Sequence, residues 1–280
     1  MITAKIKRGI TGIDGILARF GEQQPEEVRK IDAPLENRFS ALLKKYEQCL
    51  ETEFKDVQGK NFVQGQNDIS DILSSEEINA FLQTTIQFEE HKQYAKNTGL
   101  FISKLIQNSY NAGNTEFTLN TNVISNPLIY LCAYLEAIEK NKLVISITGD
   151  VGDLLGWASY NCTYTVTGNV GYWLGYNSNN CIYTVTGNVG DELGQYSNNC
   201  TYSVTGNVGD GLGSNSTNCT YSVTGNVGRK LGWDSKDCTY KTPYNKLFQR
   251  WKRTKTMPPK GEGNTIIYLK PDGTEEVCRK

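Results

Sequence analysis

Histidine, methionine and long apolar runs are scarce or missing in this sequence of 280 residues. It has a single histidine, His91, and two methionines. With one histidine the chain can form few general acid–base sites or catalytic triads, because histidine is the usual base in both. The sequence contains no run of about 18 apolar residues, which is the length that would predict a membrane helix. No apolar stretch of signal-peptide length follows the basic N-terminus. We therefore expect a soluble, cytoplasmic protein that is not an enzyme.

An excess of one charge sign is also missing, since 29 Lys and Arg face 30 Asp and Glu. This balance argues against nucleic acid or an anionic membrane as the partner and favours a protein. Charge is nevertheless uneven along the chain. Residues 241–280 carry ten basic and four acidic side chains, whereas residues 146–240 carry three and seven.

Five segments of 19 residues align without a gap from Ser146 to Tyr240, the second being TVTGNVGYWLGYNSNNCIY. Glycines recur too closely for a helical repeat, so the unit consists of strands and turns. Cys181, Tyr183 and Val185 alternate with outward-facing residues, which predicts a strand with one buried face. Val170 and Leu174 complete the predicted core. The asparagines equivalent to Asn169 are predicted to form a hydrogen-bonded ladder.

The pattern V-T-G-N-V-G-x-x-L-G-x-x-S-x-N-C-x-Y, as in Val166 to Tyr183, resembles a known repeat. It is similar to the GXGXG repeat found in the C-terminal domain of the glutamate synthase large subunit and in the repeat-containing subunit of formylmethanofuran dehydrogenase. The resemblance implies a right-handed β-helix that serves as a scaffold, here in an oxidoreductase complex. This chain differs in having Asn-Cys for Gly-Gly and Tyr for an aliphatic residue. More loosely, it resembles uncharacterised archaeal repeat proteins with a helical leader.

The predicted fold is α+β, with a right-handed parallel β-solenoid of five clear coils and one degenerate extra coil. We divide the chain into a helical N-terminal segment (1–113), a degenerate coil with a capping helix (114–145), the repeats (146–240) and a basic helix plus β-hairpin cap (241–280). The degenerate coil is predicted to begin at Phe117. Residues 127–140 are predicted to form a helix over the open end of the solenoid, because solenoids need caps.

Three helices are predicted in the N-terminal segment. The first starts near Asp32 and Pro34, and its apolar residues continue to Phe54. A capping box of Ser74 and Glu77 starts the second, which runs to about Lys96. Asn97-Thr98-Gly99 is taken as its stop signal, and a third helix covers Leu100 to Tyr110.

Two elements are predicted in the C-terminal segment. A helix from Tyr244 to Thr256 contains Phe248 and Trp251, and it either caps the solenoid or contacts an acidic partner or RNA. Its candidate basic contacts are Lys246, Arg250, Lys252 and Arg253. A hairpin joins Ile266–Leu269 to Thr274–Val277.

One cysteine per coil is predicted to form a buried column of reduced thiols, with disulfide bonding or a soft metal as the alternatives. These cysteines are Cys162, Cys181, Cys200, Cys219 and Cys238. We assign no metal and no cofactor, because the one histidine lies far from them in sequence. An enzyme would require a polar pocket around His91, Glu89 and Glu90.

The outward strand face is the candidate binding surface, since Thr and Ser recur there at the spacing of a regular grid. Its candidate residues are Thr163, Thr165, Thr167, Thr184, Thr186, Thr201, Thr205, Thr220 and Thr224. We expect a non-catalytic structural or protein-interaction scaffold. The alternatives are an accessory subunit of an oxidoreductase complex and an ice-binding protein.

Overall fold

The computed structural model describes residues 39–53, 69–243, 248–249, 252 and 262–279. Helix α1 covers residues 39–50. It is followed by α2 (Ser75–Thr85), a short 3-10 helix (Ile86–Phe88) and α3 (Tyr94–Asn111). The strands in these ranges are β1 (Glu116–Asn120), β2 (Leu143–Thr148), β3 (Cys162–Thr167), β4 (Ile182–Val185), β5 (Thr201–Val204), β6 (Thr220–Val223), β7 (Thr239–Thr242), β8 (Thr265–Leu269) and β9 (Glu275–Arg279).

The strands form one sheet in chain order, parallel from β1 to β8, with β9 antiparallel to β8. Between β2 and β7 each residue pairs with the residue 19 positions later, as Thr163 does with Ile182. Two columns of single bridges join the coils elsewhere, one starting at Val151 and Val170 and the other at Glu136 and Tyr160. The predicted parallel β-solenoid of five coils is therefore confirmed.

A column of stacked tyrosines lies in the solenoid core. Its members are Tyr164, Tyr183, Tyr202, Tyr221 and Tyr240. Neighbouring rings lie 4.7–5.0 Å apart, within 8° of parallel. The hydroxyl of Tyr202 donates to the carbonyl of Gly175 at 3.1 Å, and Tyr183, Tyr221 and Tyr240 make the same bond to the equivalent glycines. Gly175 has a φ of +65°, and a Cβ there would overlap the Tyr202 ring. The repeated Leu-Gly dipeptide thus makes room for the tyrosine column.

The first coil is longer than the others, because Glu116 of β1 pairs with Val144, 28 positions later. As predicted, Phe117 belongs to this additional coil, and its side chain is buried. The last coil is also long, since Thr239 of β7 pairs with Thr265 of β8. The regular solenoid thus lies between two coils that carry insertions.

The helix predicted for residues 127–140 is wrong. These residues form a wall of the first coil, in which Glu136 bridges to Tyr160. Tyr130, Cys132 and Tyr134 have left-handed backbone angles of 57–61°, which an α-helix cannot contain. The apolar residues of this turn-rich wall recur three or four positions apart, and this spacing imitates a helical period. They are Leu128, Leu131, Cys132 and Leu135.

The helical segment confirms some predicted boundaries and corrects others. The capping box of Ser74 and Glu77 is present at the start of α2. However, Asn97, Thr98 and Gly99 lie inside α3 and do not stop a helix. Asn97 donates to the Cys49 carbonyl at 2.8 Å, Thr98 bonds the Tyr46 hydroxyl at 2.6 Å, and a Cβ on Gly99 would overlap Ile129. These residues attach α3 to α1 and to the first coil. Leu35 and Phe54 of the predicted first helix lie outside the described residues.

Helix α2 protects the free edge of β1, which the predicted helix 127–140 was expected to do. The amide of Thr118 donates to the Ser75 hydroxyl, and that of Asn120 to the Asn79 side-chain oxygen, both at 2.8 Å. Four residues of helix advance about 6 Å and two residues of strand about 6.6 Å, so the two rows match. Side chains of α2 therefore replace the missing neighbouring strand.

The predicted C-terminal hairpin is confirmed as β8 and β9. Its turn has Gly273 at a φ of +80°, and the Gly273 amide donates to the Lys270 carbonyl at 3.0 Å. Of the predicted helix 244–256, only Phe248, Gln249 and Lys252 are described, and all three are helical. Phe248 is buried and stacks on Tyr268 at 5.4 Å. The rest of that prediction lies outside the described residues.

Two substitutions at Tyr202 are predicted to separate the ring's contribution from that of its hydroxyl. Tyr202→Phe removes one buried hydrogen bond and should cost about 1 kcal/mol. Tyr202→Ala also leaves a cavity between two stacked rings and should cost about 3–5 kcal/mol. Urea unfolding followed by circular dichroism measures both. Equal losses for the two variants would contradict the role assigned to stacking.

Asn79→Ala is predicted to expose a backbone amide at the edge of β1 to solvent exchange. The amide of Asn120 would lose its acceptor, so its hydrogen exchange should accelerate by roughly tenfold or more, equivalent to about 1–3 kcal/mol. Exchange measured residue by residue tests this, with the exposed Glu90→Ala as the control. Unchanged exchange at Asn120 would show that another group protects this edge.

Candidate functional site

The nine candidate threonines lie on the outer side of the sheet. Seven of them are exposed, whereas Thr163 and Thr184 are half-buried. The in-register pairing places Thr163, Ile182, Thr201 and Thr220 in one row across the strands. Neighbours lie about 4.8 Å apart across strands and about 6.6 Å apart along them. The structure therefore brings the candidate residues together as a regular surface.

This threonine face is interrupted and partly engaged in internal bonds. Ile182 stands in one row, and Lys241 stands where the equivalent residues are Thr or Ser. The hydroxyl of Thr224 donates to the Thr205 carbonyl at 2.7 Å, and that of Thr186 to the Val166 carbonyl at 3.3 Å. Some hydroxyls thus stabilise coil stacking instead of pointing freely into solvent.

Of the four candidate basic contacts, only Lys252 is described. Its ammonium lies 2.6 Å from a carboxylate oxygen of Glu276 on β9. This hydrogen bond and the charge of Glu276 raise the pKa of Lys252. Lys252 thus pairs within the chain, while Lys246, Arg250 and Arg253 lie outside the described residues.

The five repeat cysteines form the predicted column inside the solenoid. The amide of Cys181 donates to the sulfur of Cys200 at 3.3 Å, and the sulfur of Cys181 lies 3.2 Å from the Asn179 carbonyl. At the end of the column, the side-chain oxygen of Asn264 accepts the Cys238 amide at 2.9 Å. None of the eight cysteines, all of which the structure describes, forms a disulfide bond.

The pKa values of alternate thiols along the column are displaced in opposite directions. Hydrogen bonding to a neighbouring thiol and burial raise the pKa of Cys162, Cys200 and Cys238. Hydrogen bonds from those neighbours lower the pKa of Cys181 and Cys219. Because each of these cysteines is about 1 % exposed, access limits its reactivity whatever its ionisation.

The single histidine and its two neighbouring glutamates make separate contacts. His91 lies 3.6 Å from Glu51, and its Nδ1 accepts the Gln93 amide at 3.2 Å. Glu89 accepts the Asn126 amide at 2.6 Å, and Glu90 is exposed. Among the described residues, no three His, Cys, Asp or Glu side chains are arranged to hold a metal ion.

A row of aromatic side chains at the surface, not anticipated from the sequence, runs across successive coils. We define the aromatic row as Tyr130, Tyr134, Trp157, Tyr176 and Tyr196. Trp157 lies 5.1 Å from Tyr130, 5.3 Å from Tyr134 and 6.1 Å from Tyr176. Tyr176 lies 5.4 Å from Tyr196. Tyr196 is 49 % exposed, and the other four rings are half-buried, each with part of its surface open to solvent.

The row lies outside the coil because the leucine of each Leu-Gly dipeptide occupies the core. Leu155, Leu174 and Leu193 are buried. Trp157 and Tyr176, directly after the adjoining glycine, and Tyr196, one position later in its coil, reach the surface. Tyr172 and Trp173 add a second exposed ring pair nearby in sequence, 6.0 Å apart. The signal in the sequence was a pair of adjacent variable positions in a strict repeat, which hold Trp157 and Tyr176 at the first and Tyr196 at the second.

Charges of both signs lie at the Tyr130 end of the aromatic row. Burial and the nearby Asp153 raise the pKa of Tyr130. The Lys96 ammonium lies over the Tyr130 ring, 5.7 Å from its centroid, as a cation–π contact. The aromatic row therefore combines large rings with side chains of both charge signs at one end.

Comparison with family models, with curated proteins and with solved structures gives no match for this chain. Within the described ranges, no helix has both the length and the apolar character needed to cross a bilayer.

The thiol accessibility gives a direct prediction. In the folded protein only Cys278, which is partly exposed, should react quickly with a thiol reagent such as a disulfide-based chromophore. Cys278→Ala should abolish this fast phase, and unfolding in urea should then expose the remaining seven thiols. Fast labelling of a repeat cysteine in the folded variant would show that the solenoid opens far more readily than its packing implies.

Proposed function

We propose that this protein is a non-catalytic scaffold that holds a protein partner on the aromatic row. The observation that carries this proposal is the continuous aromatic surface on a rigid repeat. Tyr and Trp are enriched at the energetic centres of protein interfaces. A monomeric protein gains nothing in stability from leaving the outer sides of such rings in solvent.

The rigidity of the solenoid supports this role. The aromatic row spans the four coils that begin at β1, β2, β3 and β4, and each coil is bonded to the next by strand and bridge pairing. Little conformational entropy would be lost on this side of the interface when a partner binds. The free thiols of the cysteine column suit a reducing compartment, so we place the scaffold in the cytoplasm.

The proposal is tested by purifying binding proteins from the native host on three immobilised forms of the full chain. Wild type and a threonine-face control, Thr201→Ala/Thr220→Ala, should retain the same stoichiometric protein. Tyr176→Ser/Tyr196→Ser should lose it, with affinity falling by roughly a hundredfold or more, since each lost ring is worth about 2 kcal/mol.

Two outcomes would contradict the proposal. One is the recovery of the wild-type protein without any stoichiometric partner. The other is a partner that the aromatic variant retains as well as the control does. Circular dichroism of the two variants must match wild type, because otherwise a loss of binding would report only misfolding.

An accessory subunit of an oxidoreductase complex is the more specific form of this function. The resemblance of the V-T-G-N-V-G repeat to the GXGXG scaffolds supports it. The same purification distinguishes it, because the retained partner would then be a redox enzyme carrying its own cofactor. A retained partner without redox chemistry would exclude this form and leave the general one standing.

Ice binding is the second candidate, favoured by the in-register threonine rows of β3 to β6. The interruption by Ile182 and the internal bonds of Thr186 and Thr224 weaken it. A thermal-hysteresis measurement at high protein concentration decides the matter. No hysteresis, or hysteresis that survives Thr201→Ala/Thr220→Ala, would remove this candidate.

A further inference from the structure

The two edge strands of the sheet, β1 and β9, differ in whether other groups bond their outward backbone atoms. At one end, side chains of α2 take up the outward amides of β1. At the other end, β9 is the last strand of the sheet in the part of the chain that the structure describes. Its residues alternate between exposed and half-buried, and Val277 is 50 % exposed. An edge of this kind is a template for a further strand.

The hairpin geometry determines which backbone groups of β9 face outward. The Lys270 amide donates to the Thr274 carbonyl at 2.9 Å. Because hydrogen-bonded pairs alternate along an antiparallel ladder, Glu276 and Cys278 direct their backbone groups toward β8. Glu275, Val277 and Arg279 then direct theirs toward the open edge.

The charges on β9 are self-complementary about Val277. If a second β9 runs antiparallel with Val277 opposite Val277, Glu275 of each copy faces Arg279 of the other. Two opposite-charge pairs then flank a pair of exposed valines on the outer face. A register centred on Glu275 would oppose two carboxylates, and one centred on Arg279 would oppose two guanidinium groups, both unfavourable.

We propose that two copies of this chain pair through β9 in an antiparallel arrangement with its two-fold axis at Val277. Both copies use the same edge, so the contact is isologous and closes at a dimer. The opposite ends cannot extend the sheet, because α2 covers β1. The dimer would contain one continuous sheet formed from both solenoids.

The existing partner of Glu275 does not prevent this contact. Lys241 on β7 lies 2.6 Å from the Glu275 carboxylate on the same outer face. In the dimer this carboxylate would lie between Lys241 of its own chain and Arg279 of the second copy. Arg279 has no ion-pair partner among the described residues, so it is available for the intermolecular contact.

A charge exchange tests the proposal by sedimentation velocity over a concentration series. Wild type should form a dimer, and Glu275→Arg or Arg279→Glu should each weaken self-association by roughly tenfold or more, because like charges would then face each other. An equimolar mixture of the two variants should recover the dimer, as should the double variant Glu275→Arg/Arg279→Glu. Lys241→Gln controls for the lost internal pair and should leave dimerisation intact.

A cross-link tests the register independently. In a Cys278→Ala background, Val277→Cys places two cysteines opposite each other with Cα atoms about 5.5 Å apart, which a disulfide can span. Mild oxidation should give a covalent dimer in high yield. Thr274→Cys, an exposed residue away from the two-fold axis, should give little.

The proposal is overturned if wild type remains monomeric at all concentrations, or if mixing the two single variants fails to restore the dimer. Equal cross-linking of the two cysteine variants would also overturn it, since that would indicate random collision. None of these results depends on whether the aromatic row binds a partner.

Discussion

Every residue of a regular coil lies about 4.8 Å from its own equivalent in the next coil, and this contact governs the whole solenoid. A side chain can recur at a given place only if it tolerates a copy of itself as a neighbour. Tyrosine rings do so by stacking, asparagine amides by donating and accepting in turn, and thiols by being small. Aspartate occupies the same position in two adjacent coils, where Asp191 accepts the Asp210 amide. Arg229 then follows in the next coil and pairs with Asp210 at 2.8 Å.

The same constraint explains why tyrosine and the Asn-Cys pair recur from coil to coil. Tyrosine occupies an inward strand position because its hydroxyl reaches a glycine carbonyl of a preceding coil, as Tyr183 does with Gly156 at 3.1 Å. Asn161, Asn180 and Asn199 precede the cysteines and adopt left-handed angles of 52–59°, which asparagine tolerates better than most residues. Asn-Cys therefore suits the corner at which it stands.

The regular part of the fold could be predicted from the sequence because the same pattern of glycine and alternating apolar residues recurs once in each of five coils. The irregular parts lacked that repetition. Leu128, Leu131 and Leu135 have helical spacing, and only the left-handed angles of the residues between them reveal a solenoid wall. Asn97 and Gly99 imitate a helix stop because close packing onto other elements favours the same residue types.

The candidate site was harder to predict than the fold. The threonine face follows directly from strand alternation, so the sequence places it correctly. The aromatic row depends on which turn residues point outward, and three of its members, Tyr130, Tyr134 and Tyr196, have the left-handed backbone angles of these turns. Periodicity alone does not report it. Function is most readily built at such positions, because stacking leaves them free to vary.

The asparagine ladder gives the solenoid a chemical polarity. The amide and the side-chain nitrogen of Asn169 both donate to Asp150, and Asn188 donates to Asn169 in the same way. Asp150 accepts without needing to donate, which suits the first position. A further coil added after any later coil would make the same asparagine hydrogen bonds as the existing coils do. Duplication of 19 codons would therefore lengthen the molecule by one layer of about 4.8 Å without inventing a contact. Gene duplication can therefore change the length of the solenoid in steps of one coil, about 4.8 Å each.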